Sequence, residues 1–306
     1  MMMARARIAI LGAGLMGNGI AQVFACAGHP VRIADPIADA RAHSLARIRA
    51  SLEEAAADPA ALDRIDVVES LVACVADADW VFEAAPENLE LKQTLFVDAE
   101  RAARPEAILA SNTSVIPIGH IMERVERKDR ALGTHWWNPP FLVPLVEVIE
   151  TQWTSPAVVA RTMDLHAAAG KQPAHVKKDV PGFIGNRLQH ALWREAIALV
   201  EGGICEAETV DAVIKASFGR RLAVLGPLEN ADLVGTDLTL AVHNIVLPAI
   251  DSRPAASPYL QGLVAEGKLG FKSGAGFRKW SQQEQSALRA RLTAHLKAAR
   301  DGEKLK

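Results

Sequence analysis

Cysteine and aromatic residues are scarce in this chain. It has three cysteines among 306 residues, and Phe, Trp and Tyr together make up 5% of the sequence. The cysteines, Cys26, Cys74 and Cys205, show neither a metal-ligand nor a redox spacing, and no pair of histidines has the spacing of a zinc protease. We therefore predict no metal site. An odd number of unpatterned cysteines is typical of a protein in the reducing cytosol, so we expect a cytoplasmic location.

The chain also lacks long hydrophobic runs and a strong net charge. Gly, Pro or charged residues interrupt every apolar segment before it reaches the length that crosses a bilayer. The first seven residues precede only a short apolar run and a glycine-rich turn, which is typical of a first strand and not of a signal peptide. A formal net charge of −2 indicates no basic surface for nucleic acid. We expect a small-molecule substrate, with neither a membrane nor nucleic acid as a partner.

The length and the order of the hydrophobic patterns predict two domains. The mass is 32.8 kDa, and 50% of the residues are hydrophobic, which is enough for two cores. In the first part short apolar runs alternate with helical patterns, as in βαβ units. The predicted strands are 7–12, 31–35, 79–84, 107–111, 131–135, 143–149 and 173–177, and the predicted helices between them are 14–28, 37–57, 88–103 and 155–169. Beyond Pro181 the predicted elements are helices at 182–202, 207–217, 228–250, 258–267 and 282–299.

These patterns predict an α/β fold, with a Rossmann-type doubly wound sheet in residues 1–180 and an all-α C-terminal domain in residues 181–306. Asp179 and Pro181 supply a capping oxygen and a preset φ for the start of a helix, so we place the boundary at about 178–181. The C-terminal helices have little else to cover their apolar faces. We therefore expect this domain to form a homodimer and to contact the substrate.

A glycine-rich turn joins the first predicted strand to the first predicted helix. Its sequence is GAGLMG, and the residues that we expect to contact a cofactor there are Gly12, Gly14, Leu15, Met16 and Gly17. Such a turn lets a pyrophosphate approach the backbone, and the helix N-terminus attracts the phosphates. Asp35, at the end of the second strand, is suited to bind the adenosine ribose and to repel a 2′-phosphate, which predicts NAD rather than NADP. The alternatives are a turn without a ligand and a flavin site, for which the chain has too little sequence.

The stretch GTHWWNPPFLVPLVE, residues 133–147, places a histidine and a carboxylate on either side of an Asn-Pro-Pro turn. A histidine held by a carboxylate is a common general base, because the carboxylate fixes the imidazole tautomer and stabilises the imidazolium. We therefore select His135 as the candidate base and Glu147 as its partner. A histidine beside a strand is also often structural, and it is the nucleotide-binding turn that favours an oxidoreductase.

Further motifs follow one another in a fixed order along the chain. They are GAGLMGNGIA (12–21), EAAPENLELK (83–92), SNTS (111–114), THWWNPP (134–140), LVEV (145–148), PGFIGNR (181–187), GPLE (226–229) and LGFKSGAGF (269–277). In order and spacing the sequence resembles the L-3-hydroxyacyl-CoA dehydrogenase superfamily over nearly its whole length. The resemblance implies a dehydrogenase in which His135 removes the hydroxyl proton of the substrate while a hydride passes to C4 of the nicotinamide of NAD.

The resemblance also implies roles for other residues of these motifs. Ser114 would hydrogen-bond the substrate near the nicotinamide, and Asn186 would orient the substrate carbonyl. Asn138 would lie by the nicotinamide ribose, and Glu87 and Lys92 would lie at the ribose and phosphate edge of the cofactor. Taken alone, these residues have structural alternatives: a turn cap for the serine, a local backbone contact for the asparagine near the helix start, and an exposed helix pair for the last two.

Three departures from the acyl-CoA enzymes bear on the substrate. Those enzymes carry a lysine-bearing helical hairpin that contacts CoA, whereas this chain has no lysine before Lys92. Two indoles, Trp136 and Trp137, follow the histidine and favour a flat pocket with Trp136 as a substrate contact, the alternative being that one of them packs in the core. Arg221, with Arg220 in reserve, lies in FGRRLAVLGPLE (218–229) and is suited to bind a free carboxylate, although a surface pair is the alternative.

The arginine pattern resembles the small-substrate branch of the superfamily, which includes carnitine, gulonate and pyridoxine-degradation dehydrogenases. We therefore favour a small free hydroxy carboxylate as the substrate. One alternative is a true L-3-hydroxyacyl-CoA dehydrogenase. Another is a non-catalytic NAD-binding protein of a crystallin-like or redox-sensing kind, although a binding role would not require the serine, histidine, glutamate and asparagine together. A Ser-His-Glu hydrolase is disfavoured because the chain lacks a nucleophile elbow.

Overall fold

The computed structural model describes residues 5–303 of the chain. Eight short strands form one sheet in the order β3-β2-β1-β4-β5-β6-β7-β8. The strands are β1 (Ile8–Leu11), β2 (Val31–Ala34), β3 (Ile65–Val68), β4 (Trp80–Glu83), β5 (Ile108–Ser111), β6 (Ala131–Trp136), β7 (Leu145–Ile149) and β8 (Gln172–Val176). Neighbouring strands are parallel except β6 and β7, which are antiparallel. The chain builds the sheet outward from β1 to β3 and then returns to place β4 on the other side of β1. This reversal confirms the predicted doubly wound sheet.

Helical segments connect the parallel neighbours of the sheet, a loop joins the antiparallel strands β6 and β7, and the elements after β8 are helices. The α-helices are α1 (Leu15–Cys26), α2 (Ala38–Ala55), α3 (Leu71–Val75), α4 (Leu89–Ala102), α5 (Ile118–Ile121), α6 (Pro156–Ala168), α7 (Gly185–Glu201), α8 (Ala207–Ala216), α9 (Pro227–Val234), α10 (Thr236–Val246), α11 (Pro258–Ala265) and α12 (Gln282–Glu303). Side-chain caps start several of them. Asn88 accepts a hydrogen bond from the Leu91 N–H at the start of α4, and Ser155 caps α6 ahead of Pro156.

Some elements differ from the prediction. The predicted helix 228–250 is wrong as a single element, because Gly235 has a φ of 100° and divides it into α9 and α10. Strand β3 and the five-residue helix α3 were not predicted. Both are short, and the half-buried edge strand IDVV lacks the fully apolar run of the central strands.

The described residues form two compact units. The first comprises the residues up to Arg187 together with those from Thr293 onward, and the second comprises Leu188–Leu292. The first unit contains the whole sheet and the second is helical. The end of α12 therefore belongs to the unit with the sheet, which the sequence pattern did not indicate. The domain boundary at 178–181 stays a prediction.

The sheet is buried on both of its faces, and alternation along each strand decides which side chains reach which face. On one face Leu132 and Trp136 of β6 pack in a core with Phe24. On the opposite face Ala131, of the same strand, packs in a core with Phe183. Residues 133 and 135 share the second face with Ala131, so His135 points away from the core that contains Trp136. Among residues 5–303 no helix is both long and apolar enough to cross a membrane.

Candidate functional site

The glycine-rich turn after β1 has the geometry that a close approach to the backbone requires. Gly12 has a φ of 117°, a conformation that favours glycine. A side chain at Gly17 would overlap the carbonyl oxygen of Gly12, so only glycine lets α1 pack this close to the turn. At Gly14, in contrast, an added Cβ would meet nothing within 4 Å. The turn is therefore tight on its inner side and open on its outer side.

The N-terminus of α1 opens onto the same space. Helix α1 starts at Leu15, no side chain caps it, and its first turn contains no acidic residue. Leu15 is 71% exposed, and Met16 is partly buried against the core. Uncapped N–H groups at a helix start attract phosphate oxygens. The open space above Gly14 and these free donors fit the pyrophosphate of a dinucleotide.

Asp35 fastens this turn to the end of β2. Its Oδ2 accepts a hydrogen bond of 2.8 Å from the Ala13 N–H, and its Oδ1 accepts one of 2.8 Å from the Ile37 N–H. Arg41 donates to the backbone oxygens of Asp35 and Pro36, at 2.8 and 3.0 Å. The carboxylate therefore shapes the turn, and its remaining lone pairs are available for a ribose hydroxyl.

His135 and Glu147 face each other directly across the antiparallel pair β6 and β7. The Nδ1–H of His135 donates to Oε2 of Glu147 at 2.8 Å, and the two side chains are 4% and 1% exposed. The other oxygen of Glu147, Oε1, accepts from the backbone N–H groups of Ile184 and Gly185 at 2.9 and 3.0 Å. Both oxygens of the carboxylate are thus engaged, one by the imidazole and one by the start of α7.

These contacts also decide the charge of Glu147. Burial alone would raise the pKa of this carboxyl group. The hydrogen bonds from His135, Gly185 and Ile184 outweigh that effect, and the pKa of Glu147 lies below its ordinary value. Glu147 is therefore ionised at neutral pH, and the imidazole is held by a negative charge.

Two aromatic rings position the imidazole of His135. The ring of Trp137 lies 5.3 Å from it and that of Phe183 lies 5.6 Å from it, measured between centroids. Trp136 is different. Its indole is 2% exposed and packs 5.6 Å from the ring of Phe24 in the core on the opposite face of the sheet. The expectation that Trp136 contacts the substrate is therefore wrong, because strand alternation directs it into the interior.

Ser114 and Asn186 are brought together although 72 residues separate them. The Nδ2 of Asn186 donates to the backbone oxygen of Ser114 at 2.9 Å. Ser114 is exposed just beyond the end of β5, and Asn186 lies in the first turn of α7, next to the residues that bind Glu147. The start of α7 therefore binds the carboxylate of Glu147 and also carries Asn186, which contacts Ser114.

Glu87 organises the backbone around Ser114. One of its oxygens accepts from the hydroxyl of Thr113 at 2.5 Å and from the N–H groups of Ser114 and Val115 at 3.1 and 3.3 Å. Burial would raise the pKa of Glu87, but the bond from Thr113, the charge of Lys92 and these backbone bonds lower it overall. Glu87 is thus a scaffold for the turn, and a contact to the cofactor stays a prediction.

Lys92 is buried and not part of an exposed pair. It is 1% exposed, and its Nζ lies 2.6 Å from Oε1 of Glu83 and 3.4 Å from Oε2 of Glu87. The other oxygen of Glu83 accepts from the hydroxyl of Ser111 at 2.6 Å. Sequence analysis did not select Glu83 and Ser111, although both lie at strand ends within the quoted motifs. A charged residue that ends a fully apolar strand was the available signal.

Two further predicted residues contribute less to this geometry. Asn138 is exposed and precedes Pro139 through a cis peptide bond. Arg221 is exposed in the second unit, directly after the 3₁₀ turn Phe218–Arg220. Its contact with a substrate carboxylate stays a prediction. Within residues 5–303 no cluster of His, Cys, Asp and Glu is suited to hold a metal ion.

Known proteins are similar to this chain in sequence and in fold. Residues 7–180 match the NAD-binding domain of 3-hydroxyacyl-CoA dehydrogenase, and residues 182–280 match its C-terminal domain. A 5-formyl-3-hydroxy-2-methylpyridine 4-carboxylate 5-dehydrogenase of Mesorhizobium japonicum is 34% identical over 96% of each chain. An L-carnitine dehydrogenase of Streptomyces coelicolor is 38% identical over 75% of this chain and 73% of its own. The mitochondrial hydroxyacyl-coenzyme A dehydrogenase of Homo sapiens is 38% identical over 89% of this chain and 90% of its own.

A solved structure agrees with these relatives. The crystal structure of 5-formyl-3-hydroxy-2-methylpyridine 4-carboxylic acid 5-dehydrogenase, an NAD⁺-dependent dismutase, superimposes with a TM-score of 0.91 at 32% identity and covers 97% of this chain and 98% of its own. The two domain models match in chain order and together span residues 7–280, apart from residue 181. The chain therefore belongs to the 3-hydroxyacyl-CoA dehydrogenase family of NAD-dependent oxidoreductases.

Proposed function

We propose that this enzyme oxidises the hydroxyl group of a small hydroxy carboxylate, with His135 as the general base. The observation that carries the proposal is the buried pair of His135 and Glu147, in which Oε2 accepts from the imidazole at 2.8 Å and Oε1 is held by two backbone N–H groups. A carboxylate fixed in this way has one orientation. It therefore fixes the orientation and the tautomer of the imidazole as well.

The direction of proton transfer follows from this tautomer. Because Nδ1 carries the hydrogen that binds Glu147, Nε2 is the nitrogen with a free lone pair. Nε2 takes the hydroxyl proton of the substrate, and the ionised carboxylate stabilises the imidazolium that results. Burial of both side chains strengthens this electrostatic interaction.

Ser114 and Asn186 hold the reacting carbon in line with the base. The bond from Asn186 to the backbone of Ser114 leaves the Oδ1 and one N–H of the amide, together with the serine hydroxyl, to contact the substrate oxygen. Fixing the alcohol beside the base converts a bimolecular encounter into a unimolecular step.

The turn at Gly12 to Gly17 and the carboxylate of Asp35 would hold the dinucleotide, with Glu87, Lys92 and Asn138 as further candidate contacts. Bound NAD supplies the acceptor for the hydride.

The family includes enzymes for acyl-CoA and for small acids, and we favour a small acid. The relative that covers 96% of this chain is named for a pyridine carboxylate, and a second relative is named for carnitine. Arg221 carries the guanidinium that we expect to bind the free carboxylate of such a substrate. The alternative substrate is an L-3-hydroxyacyl-CoA, for which the human relative is named.

Kinetics of Arg221→Met distinguish the two substrates. We expect wild type to turn over a free hydroxy acid from a panel of carnitine, 3-hydroxybutyrate and pyridine alcohols bearing a carboxylate. The substitution is expected to lower kcat/KM for that acid by about 10- to 100-fold, the value of a charge-assisted hydrogen bond. The neighbouring substitution Arg220→Met is the control and is expected to leave kcat/KM near wild type. Turnover of 3-hydroxybutyryl-CoA alone, unchanged in Arg221→Met, would show that the enzyme is an acyl-CoA dehydrogenase.

We further propose that the protein forms a homodimer through its C-terminal helices and acts in the cytoplasm. Large apolar side chains are exposed along α9 and α10, with Leu233 70%, Leu240 62% and Ile245 78% exposed. A face of this kind is typical of a protein interface. The three cysteines are free thiols, in keeping with a reducing compartment.

A further inference from the structure

A cavity of about 520 Å³ lies in the first unit, away from the His135 pair. It is bounded by the C-terminal ends of α1, α2 and α6, by the loop between β6 and β7, and by Arg300 near the end of α12. Its apolar wall includes Val23, Phe141 and Leu142. The volume falls within the range of small-molecule sites. Polar residues line the cavity as well, among them Gln22, Gln172 and two basic residues.

The charged residues that line this cavity are of one sign. They are Lys171 and Arg300, and no aspartate or glutamate lines it among the described residues. Arg300 is already engaged, since its Nη1 donates to the backbone oxygen of Ala55 at 3.0 Å and its Nη2 lies 2.9 Å from Asp301. Lys171 has no such counter-ion among the described side chains, and this distinguishes it from Arg300.

Lys171 carries a buried ammonium group without a neighbouring carboxylate. It is 9% exposed, and its Nζ donates to the backbone oxygens of Pro140, at 2.6 Å, and Val143. An ammonium group has three N–H bonds, and beyond these two acceptors the Nζ of Lys171 lies 5.3 Å from the centroid of the Trp136 ring, with no carboxylate beside it among the described side chains. Burial lowers the pKa of Lys171 to about 8, and no carboxylate among the side chains that the structure describes offsets this effect. A buried cation without a counter-ion is costly, and an anion in the cavity would remove that cost.

We propose that this cavity binds a small monocarboxylate with an apolar body, whose carboxylate pairs with the ammonium of Lys171. A buried cation without a counter-ion favours a negatively charged group, and the side chains of Val23, Phe141 and Leu142 favour a hydrocarbon body beside it. The occupant also reaches the loop that joins the strands of His135 and Glu147, because Lys171 is bonded to that loop. The site is separate from the proposed catalytic site and does not rest on the proposed function.

Calorimetric titration of the full chain with hexanoate tests the proposal. All proteins carry Arg221→Met, so that the expected substrate contact does not bind the probe. We expect one hexanoate to bind per chain. Hexan-1-ol is expected to bind more weakly by about tenfold or more, because it lacks the charge. Affinity is expected to fall as the pH is raised from about 7 to about 9.5, since the amine then loses its proton.

Two alanines of α6 provide a matched pair of variants. Ala168 lines the cavity and Ala167 does not, and both are exposed. Ala168→Leu is expected to fill the space and weaken hexanoate binding by about tenfold or more, whereas Ala167→Leu is expected to bind like the parent. Both are expected to keep dehydrogenase turnover when Arg221 is restored.

Equal binding by the two alanine variants would overturn the proposal, and so would the absence of hexanoate binding. Hexan-1-ol binding as tightly as hexanoate would show an apolar site without the proposed ion pair. Because turnover is measured separately, failure of this site leaves the catalytic proposal intact, and the reverse also holds.

Discussion

Two buried histidines of this protein show how the partner of an imidazole decides its chemistry. His135 donates to a carboxylate across a strand pair and is the candidate base. His166 is fully buried on the other side of the sheet, where its Nδ1 donates to the Thr162 carbonyl oxygen at 2.7 Å and its Nε2 has no partner. Burial lowers the pKa of His166 to about 4. The bond to the Thr162 carbonyl opposes this shift, and the charge of Lys171 adds to it. It is a neutral core residue at physiological pH.

His166 therefore predicts a loss of stability in acid. Its pKa is about 4 in the folded protein and near 6.5 in the unfolded chain, so between these values the unfolded state binds more protons. Stability is full above about pH 6.5 and falls toward pH 4, by up to about 3 kcal/mol at 1.36 kcal/mol per pKa unit.

Urea unfolding at both ends of that range measures this loss. We expect His166→Met to lose less free energy of unfolding than wild type on acidification, and His295→Gln, at an exposed position, to follow wild type. Equal pH dependence in His166→Met and wild type would show that His166 does not cause the loss.

Among the elements of the fold, the antiparallel register of β6 and β7 and the start of α7 together hold the pair of His135 and Glu147. Both carboxylate oxygens of Glu147 act as acceptors, from His135 on one side and from two backbone N–H groups on the other. An amide has one acceptor and one donor, so glutamine at this position cannot satisfy both sets. Either the imidazole tautomer changes or the start of α7 loses a partner.

We therefore expect Glu147→Gln to lower kcat by about 10²- to 10⁴-fold, the usual contribution of a positioned general base. Glu150→Gln is a matched control, because Glu150 also pairs with a histidine, His175, at 2.9 Å near the same strand, but both of those side chains are 31% exposed. It is expected to retain kcat within a few fold. A kcat near wild type in Glu147→Gln, measured at saturating NAD, would contradict the role of the carboxylate.

Sequence patterns predicted the sheet and the nucleotide turn because both are local in the chain. The fingerprint at Gly12 and the alternation of strands with helices are set by neighbouring residues. The error at Trp136 has a different cause. A tryptophan at this position is compatible with a pocket or with the core. The face of β6 from which its side chain extends decides between the two, and His135 lies on the opposite face.

Contacts between distant motifs were beyond the reach of the sequence pattern. The bond from Asn186 to the backbone of Ser114 and the bonds from the start of α7 to Glu147 join segments that are far apart in the chain. The break at Gly235 was missed for another reason: a glycine inside a helical pattern is often tolerated, and its φ of 100° is set by the surrounding helices.

In the molecule as a whole, exposed large apolar side chains are more numerous in the helical unit than in the unit with the sheet, among the described residues. Light scattering during size-exclusion chromatography is expected to give about twice the chain mass of 32.8 kDa. Leu240→Glu, at a side chain 62% exposed on α10, is expected to shift the protein toward the monomer. Leu45→Glu, at a side chain 41% exposed on α2, is the control and is expected to leave the dimer unchanged. A wild-type mass of one chain would exclude the homodimer.

His135 is the proposed base of the NAD-dependent oxidation. The most direct test compares His135→Ala with wild type in two measurements: kcat for the best hydroxy acid of the panel, and NADH affinity by fluorescence titration. We expect kcat to fall by about 10²- to 10⁴-fold while NADH affinity is unchanged, because the base contacts the proton and not the pyrophosphate turn. Turnover at the wild-type rate in His135→Ala, with NADH still bound, would contradict the account.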